Sequence, residues 1–81
     1  MRDLLEKEIY RTVKMIIIQI HEAKLDPKNM DYDFVIEEVM VTVGRIGWDN
    51  LKAAGAHEED LRTFMSSIKT ETAKFFPEFM I

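Results

Sequence analysis

The 81-residue chain contains no cysteine, which excludes disulfide bonds, thiolate metal sites and cysteine nucleophiles. Glycine and proline are also scarce, and no glycine-rich loop of the kind that binds phosphate is present. The longest apolar run, Val13 to Ile20, contains Lys14 and Gln19 and is far shorter than the roughly 20 residues that span a bilayer. The mixed charges at the start of the chain do not resemble an export signal. These absences predict a cytoplasmic protein that does not cross a membrane.

The composition is that of a globular protein. Apolar residues make up 47% of the chain and charged residues 32%, which is too apolar for a disordered chain and too charged for a membrane protein. We expect one domain, residues 1–81, that buries only roughly 60–70% of its unfolded surface, so oligomerisation would add useful stability. The net charge is −4 and only residues 1–24 are net positive, so we do not expect nucleic acid as a partner.

The first helix is predicted to span residues 2–24. Its main apolar stripe has the spacing of three and four that a core-facing helix requires, and it consists of Leu5, Ile9, Tyr10, Val13, Ile16, Ile17, Ile20 and Ala23. Two further apolar residues, Met15 and Ile18, lie off this stripe. The helix is therefore expected to carry a second apolar surface besides the one that faces the core.

Turn-forming residues divide the rest of the chain. Pro27 and its polar neighbours predict a turn over 25–31, and the helix that follows has an apolar side made of Val35, Ile36, Val39, Met40 and Val43. Gly44 and Gly47 predict a turn or hinge, and Gly55 is expected to end a short helix over 48–54. Carboxylates at 58–60 then open a last helix that ends before Pro77, with a stripe of Leu61, Phe64, Met65, Ile68, Thr72 and Phe75.

These elements predict an all-α fold, a compact bundle of three long helices plus one short helix. The alternative is an α+β fold with a short sheet, because the segments 14–20 and 39–46 are rich in β-branched residues. The helical spacing on either side of both segments favours the all-α fold.

Residues that could carry out chemistry are few and scattered. His21 and His57 each lack a second ligand at the i+4 spacing of zinc-binding helices. The adjacent carboxylates at 37–38 point about 100° apart on a helix, which does not suit acid–base catalysis. The serines at 66–67 have no histidine nearby in the sequence. We therefore expect no catalytic residue, metal ion or cofactor, and a protein that is not an enzyme.

An alternative function is nucleic-acid binding by a helix-turn-helix regulator that uses residues 48–70. The short helix, the turn at Gly55 and the last helix have the order of such a unit. The second helix would, however, present the carboxylates of 58–60 at the end that contacts DNA, where they would repel phosphate groups. The sequence therefore favours an interaction protein over a nucleic-acid-binding regulator.

The side of the first helix opposite its main stripe is the candidate interaction surface. It is basic and apolar at once, and its residues are Lys7, Arg11, Lys14, Met15, Ile18 and His21. The apolar residues Phe79 and Met80 either cover this surface or extend it. Such a surface suits a second copy of the chain or another protein with an acidic, partly apolar face. We predict a small regulatory or protein-interaction module that self-associates through its first helix.

Overall fold

A computed structural model describes residues 1–79 of the chain, which form three α-helices. Helix α1 spans Arg2–Ala23, α2 spans Tyr32–Ala53 and α3 spans Glu58–Phe75. The predicted all-α fold is confirmed. The alternative with a sheet is wrong, since both β-branched segments lie within helices and the described residues contain no strand.

Two apolar clusters form the core, one toward each end of the bundle. One cluster joins α1, the end of α2 and the start of α3 through Val13, Leu51, Leu61, Phe64 and Ile68. The other joins the end of α1, the start of α2 and the residues after α3 through Ile16, Ile20, Tyr32, Ile36, Met40, Val43, Phe76 and Phe79. This pairing of ends shows that α1 and α3 run parallel and that α2 runs antiparallel to both.

The turn between α1 and α2 is built from short polar side chains, as the sequence predicts. The carboxylate of Asp26 accepts a hydrogen bond from the backbone N–H of Lys28 at 2.9 Å. The side-chain carbonyl of Asn29 accepts one from the N–H of Asp31, the N-cap residue of α2, also at 2.9 Å. These bonds satisfy backbone N–H groups in the turn, which have no partner within either helix.

Gly44 and Gly47 form neither a turn nor a hinge, because α2 continues through both of them. A Cβ atom on Gly47 would lie 2.6 Å from Cζ of Phe64 and 2.8 Å from Oγ1 of Thr12. One on Gly44 would lie 3.1 Å from Cδ1 of Ile68. The two glycines therefore allow α1 and α3 to pack closely against α2, and the prediction of a break here is wrong.

The separate short helix predicted over 48–54 is also wrong, because residues 48–53 are the last turns of α2. The prediction that Gly55 follows a helix end is confirmed. Gly55 has a φ of 90°, its N–H donates to the carbonyl of Lys52 at 3.0 Å, and the N–H of Ala56 donates to the carbonyl of Leu51 at 2.9 Å. This is the hydrogen-bond pattern of a Schellman motif, in which a left-handed glycine closes a helix.

Candidate interaction surface

A groove of about 600 Å³ runs between the parallel helices α1 and α3. We call it the α1/α3 groove; its lining residues are Glu6, Ile9, Tyr10, Val13, Lys14, Ile17 and Ile18 from α1 and Ser67, Glu71 and Phe75 from α3. Most of its lining side chains are apolar.

Three large apolar side chains of this groove remain in contact with solvent. Tyr10 is 71% exposed, Phe75 57% and Ile18 39%. Ile16 and Ile20, on the neighbouring side of α1, are buried in the core. α1 thus carries more apolar residues than its contacts with α2 and α3 can cover, and two of the uncovered ones, Tyr10 and Ile18, line the groove.

Charged side chains of both signs lie among these apolar residues. Glu6 forms an exposed ion pair with Arg2, with 3.5 Å between Oε1 and Nε, and Glu71 pairs with Lys74 at 2.9 Å. Lys14 is exposed and forms no ion pair with any residue in the range 1–79. The groove therefore presents one unpaired cation beside two carboxylates whose partners are exposed side chains.

The structure divides the residues that the sequence predicts for one surface. Lys14 and Ile18 line the α1/α3 groove. Arg11 and Met15 line a separate cleft of about 70 Å³ on the other side, between α1 and α2. Lys7 is exposed and lines neither of them. The predicted surface is therefore two adjacent surfaces, of which the α1/α3 groove is much the larger.

Phe79 lies in the core and is only 7% exposed. Its N–H donates to the carbonyl of Phe76 at 2.9 Å, and its ring joins the cluster of Ile16 and Ile20. Met15 and Ile18 stay exposed although the chain folds back at this point. We therefore leave Phe79 out of the interaction surface, and Met80 lies outside the described residues.

Three side chains that the sequence places in the core stripes are exposed. They are Tyr10, Ala23 and Phe75, and the structure corrects their assignment. Tyr10 lies four residues after Glu6 and four residues before Lys14. A helical wheel drawn around these two charged residues therefore places Tyr10 between them. Phe75 carries no comparable signal, because only the position of α3 beside α1 brings it to the groove.

A buried carboxylate lies between α1 and α2. Glu8 is buried in the cleft between α1 and α2, where its Oε1 accepts a hydrogen bond from Nη2 of Arg11 at 3.0 Å. Its Oε2 is buried without a hydrogen-bond partner among the described residues. No other carboxylate and no histidine lines this cleft.

The two histidines lie at opposite ends of the bundle. The ring of His21 packs against Phe76 at the end of α1, with 5.6 Å between ring centroids. His57 precedes α3, and its backbone N–H donates to Oδ2 of Asp60 at 3.0 Å. Within residues 1–79, no three histidine or carboxylate side chains come together in a way that could hold a metal ion.

Tyr32 is a buried tyrosine at the start of α2. Its burial raises the pKa of the phenol above the usual value near 10, and the nearby carboxylates of Glu78 and Asp33 raise this pKa further. The phenol is therefore held in its neutral form in the folded protein, at the same end of the bundle as Phe76 and Phe79.

We expect this tyrosine to make folding sensitive to alkaline pH. The unfolded chain releases the phenol proton at about pH 10, whereas the folded chain holds it to higher pH. The stability that the neutral phenol confers is thus present below about pH 10 and is lost as the pH rises toward the raised pKa. Thermal unfolding at about pH 8 to 11 should show a loss of stability that Tyr32→Phe reduces. An equal alkaline loss in wild type and Tyr32→Phe would contradict this assignment.

Comparison of the chain with protein-family models, with curated proteins and with solved structures gave no match. Among the described residues, no helix combines the length and apolar character needed to cross a bilayer. The α1/α3 groove is therefore the candidate functional site.

Proposed function

We propose that the chain is a small non-enzymatic interaction module of the cytoplasm that associates with a second copy of itself through the α1/α3 groove. The observation that carries this proposal is the grouping of Tyr10, Ile18 and Phe75 around one groove, all three exposed. Single exposed apolar residues are ordinary, but a contiguous group with a polar rim is typical of an interaction site.

The apolar side chains of the groove would supply most of the binding free energy. Fully burying a side chain of the size of Ile or Phe contributes about 1.5–3 kcal/mol, and Tyr10 and Phe75 begin more than half exposed. An exposed ion pair contributes only about 0–1 kcal/mol. Apolar contacts therefore set the affinity, while the charged residues set the choice of partner and its orientation.

The charges favour a second copy as the molecule that occupies the groove. Because Glu6, Glu71 and Lys14 line one groove, a second copy of this surface offers carboxylates to Lys14 and a lysine to the carboxylates. An acidic protein, the other partner predicted from the sequence, would attract Lys14 and be repelled by both carboxylates. Association would also add stability to a domain of this size, since binding to the folded state lowers its free energy.

The helix-turn-helix regulator is supported only by the order of its elements. Residues 48–70 comprise the end of α2, the turn after it and most of α3, so the order of elements resembles that unit. Glu58 and Glu59 are exposed in the first turn of α3, where a recognition helix would contact DNA. Their charge would oppose binding to a phosphate backbone.

Replacing Ile18 by glutamate should dissociate the self-associated protein, because it places a charge among the apolar residues of the groove. Ile46→Glu is the matched control, since Ile46 is 61% exposed and lies in the cleft between α1 and α2. Sedimentation equilibrium should give twice 9.5 kDa for wild type and Ile46→Glu, and 9.5 kDa for Ile18→Glu. Circular dichroism should show that all three remain helical.

Two results would overturn the proposal. The first is a wild-type protein that stays monomeric at every concentration tested. The second is a dimer that Ile46→Glu dissociates and Ile18→Glu leaves intact, which would move the interface to the cleft between α1 and α2.

A further inference from the structure

Glu6, Tyr10 and Lys14 form one row along the α1/α3 groove. They are spaced by four residues, so they lie one above another on the same side of α1. All three line the groove, and the opposite charges lie at equal distances along the chain on either side of Tyr10. The row therefore has a negative end and a positive end, so its pairing with a second copy depends on the orientation of that copy.

The row pairs favourably with itself in one orientation only. In an antiparallel pair with a two-fold axis at Tyr10, Glu6 of each copy faces Lys14 of the other, and the two contacts are identical by symmetry. In a parallel pair with the two rows in register, Glu6 of one copy would face Glu6 of the other, and Lys14 would face Lys14. Like charges face each other in that arrangement, and their repulsion disfavours it.

Both charged residues are available for this contact. Lys14 makes no ion pair within the described part of the chain, and the pair between Glu6 and Arg2 is exposed on both sides. A single exposed pair of this kind has little strength and does not prevent Glu6 from exchanging partners. Tyr10, at the axis, is the most exposed of the three large apolar residues of the groove.

We propose that two copies of the chain pack α1 against α1 in an antiparallel orientation, with the two-fold axis at Tyr10 and Glu6 of each copy paired with Lys14 of the other. This inference rests on the proposed function, because it assigns the orientation of the same self-association. Each Tyr10 then meets its equivalent at the centre of the interface, where aromatic side chains contribute most.

Cysteine cross-linking tests the orientation directly, because the chain has no cysteine of its own. An equimolar mixture of Glu6→Cys and Lys14→Cys should form a disulfide between the two variants on mild oxidation. Each variant alone should remain free of disulfide-linked dimers. In the antiparallel pair the two positions 6 are separated by eight residues of helix, about 12 Å, which exceeds the Cα separation of about 4.4–6.8 Å that a disulfide spans.

Charge reversal provides a second measurement that does not depend on disulfide geometry. Glu6→Lys alone and Lys14→Glu alone should each weaken self-association by roughly ten-fold or more, because two attractive contacts become repulsive. The double variant Glu6→Lys/Lys14→Glu should recover the wild-type dissociation constant, since the same two pairs form with their charges exchanged. Sedimentation at low salt, where exposed charges are least screened, gives these constants.

The outcomes separate this inference from the proposed function. A monomeric wild-type protein overturns both. A dimer that Ile18→Glu dissociates, but in which each cysteine variant cross-links with itself or in which the charge variants behave as wild type, overturns the orientation and leaves the self-association standing. Cross-linking in the mixture alone, with recovery in the double charge variant, supports the antiparallel pair.

Discussion

Replacing Phe64 by alanine should lower the free energy of unfolding by about 3–5 kcal/mol, the cost of removing a large aromatic side chain from a closed core. Phe64 is 0% exposed, packs with Val13 and Leu51, and lies over Gly47. A domain of this length has a total stability of about 4–12 kcal/mol. The substitution would therefore remove a quarter or more of that stability and could leave the chain unfolded at room temperature.

Phe75→Ala is the matched control, because it removes the same atoms from the same helix at a position that is 57% exposed. We expect it to change monomer stability far less, while it weakens the self-association of the α1/α3 groove. Urea unfolding followed by circular dichroism measures both variants, in the Ile18→Glu background so that association does not add stability. Equal losses for Phe64→Ala and Phe75→Ala would contradict the burial of Phe64 in the core.

Gly47→Ala should destabilise the protein, against the usual trend for glycine in a helix. Alanine in place of a helical glycine gains about 1 kcal/mol from backbone propensity. At Gly47 the new methyl group would meet Phe64 at 2.6 Å and Thr12 at 2.8 Å, and both of these side chains are buried. Overpacking of this kind costs about 1–3 kcal/mol. We expect a net loss of up to about 2 kcal/mol in urea unfolding.

Gly44→Ala is the control for the same substitution three residues earlier in α2. Its methyl group would meet only Cδ1 of Ile68, at 3.1 Å, and that atom is the flexible end of its side chain. A shift of a few tenths of an ångström relieves the contact, so the variant should be neutral or more stable by up to about 1 kcal/mol. If Gly47→Ala proved as stable as Gly44→Ala, the three helices would not meet as closely as the structure shows.

The sequence was a reliable guide wherever the interactions are local. The turn around Pro27, the helix end at Gly55 and the helix start before Asp60 all depend on hydrogen bonds between residues less than six positions apart. The same holds for the helices, whose apolar spacing reflects the geometry of a single element. Local signals of this kind act in the same way whatever the rest of the chain does.

Contacts between helices decided what the sequence could not. Glycine in a sequence indicates a turn as readily as a close helix contact, and only the approach of Thr12 and Phe64 to Gly47 shows which role applies. The excess of apolar residues on α1 was visible in the sequence, and so were Lys14 and Ile18 as candidates. The sequence did not show that Ile18 and Met15 lie on two different surfaces, because this depends on which side of α1 each neighbouring helix occupies.

The sequence by itself determined that the chain forms helices and that α1 carries more apolar residues than one side can hold. The tertiary structure decided that α2 is one helix, that Phe79 belongs to the core, and that Tyr10 and Phe75 border a groove. The physical reason is distance along the chain: helix formation depends on near neighbours, whereas the surface left uncovered depends on how distant helices pack.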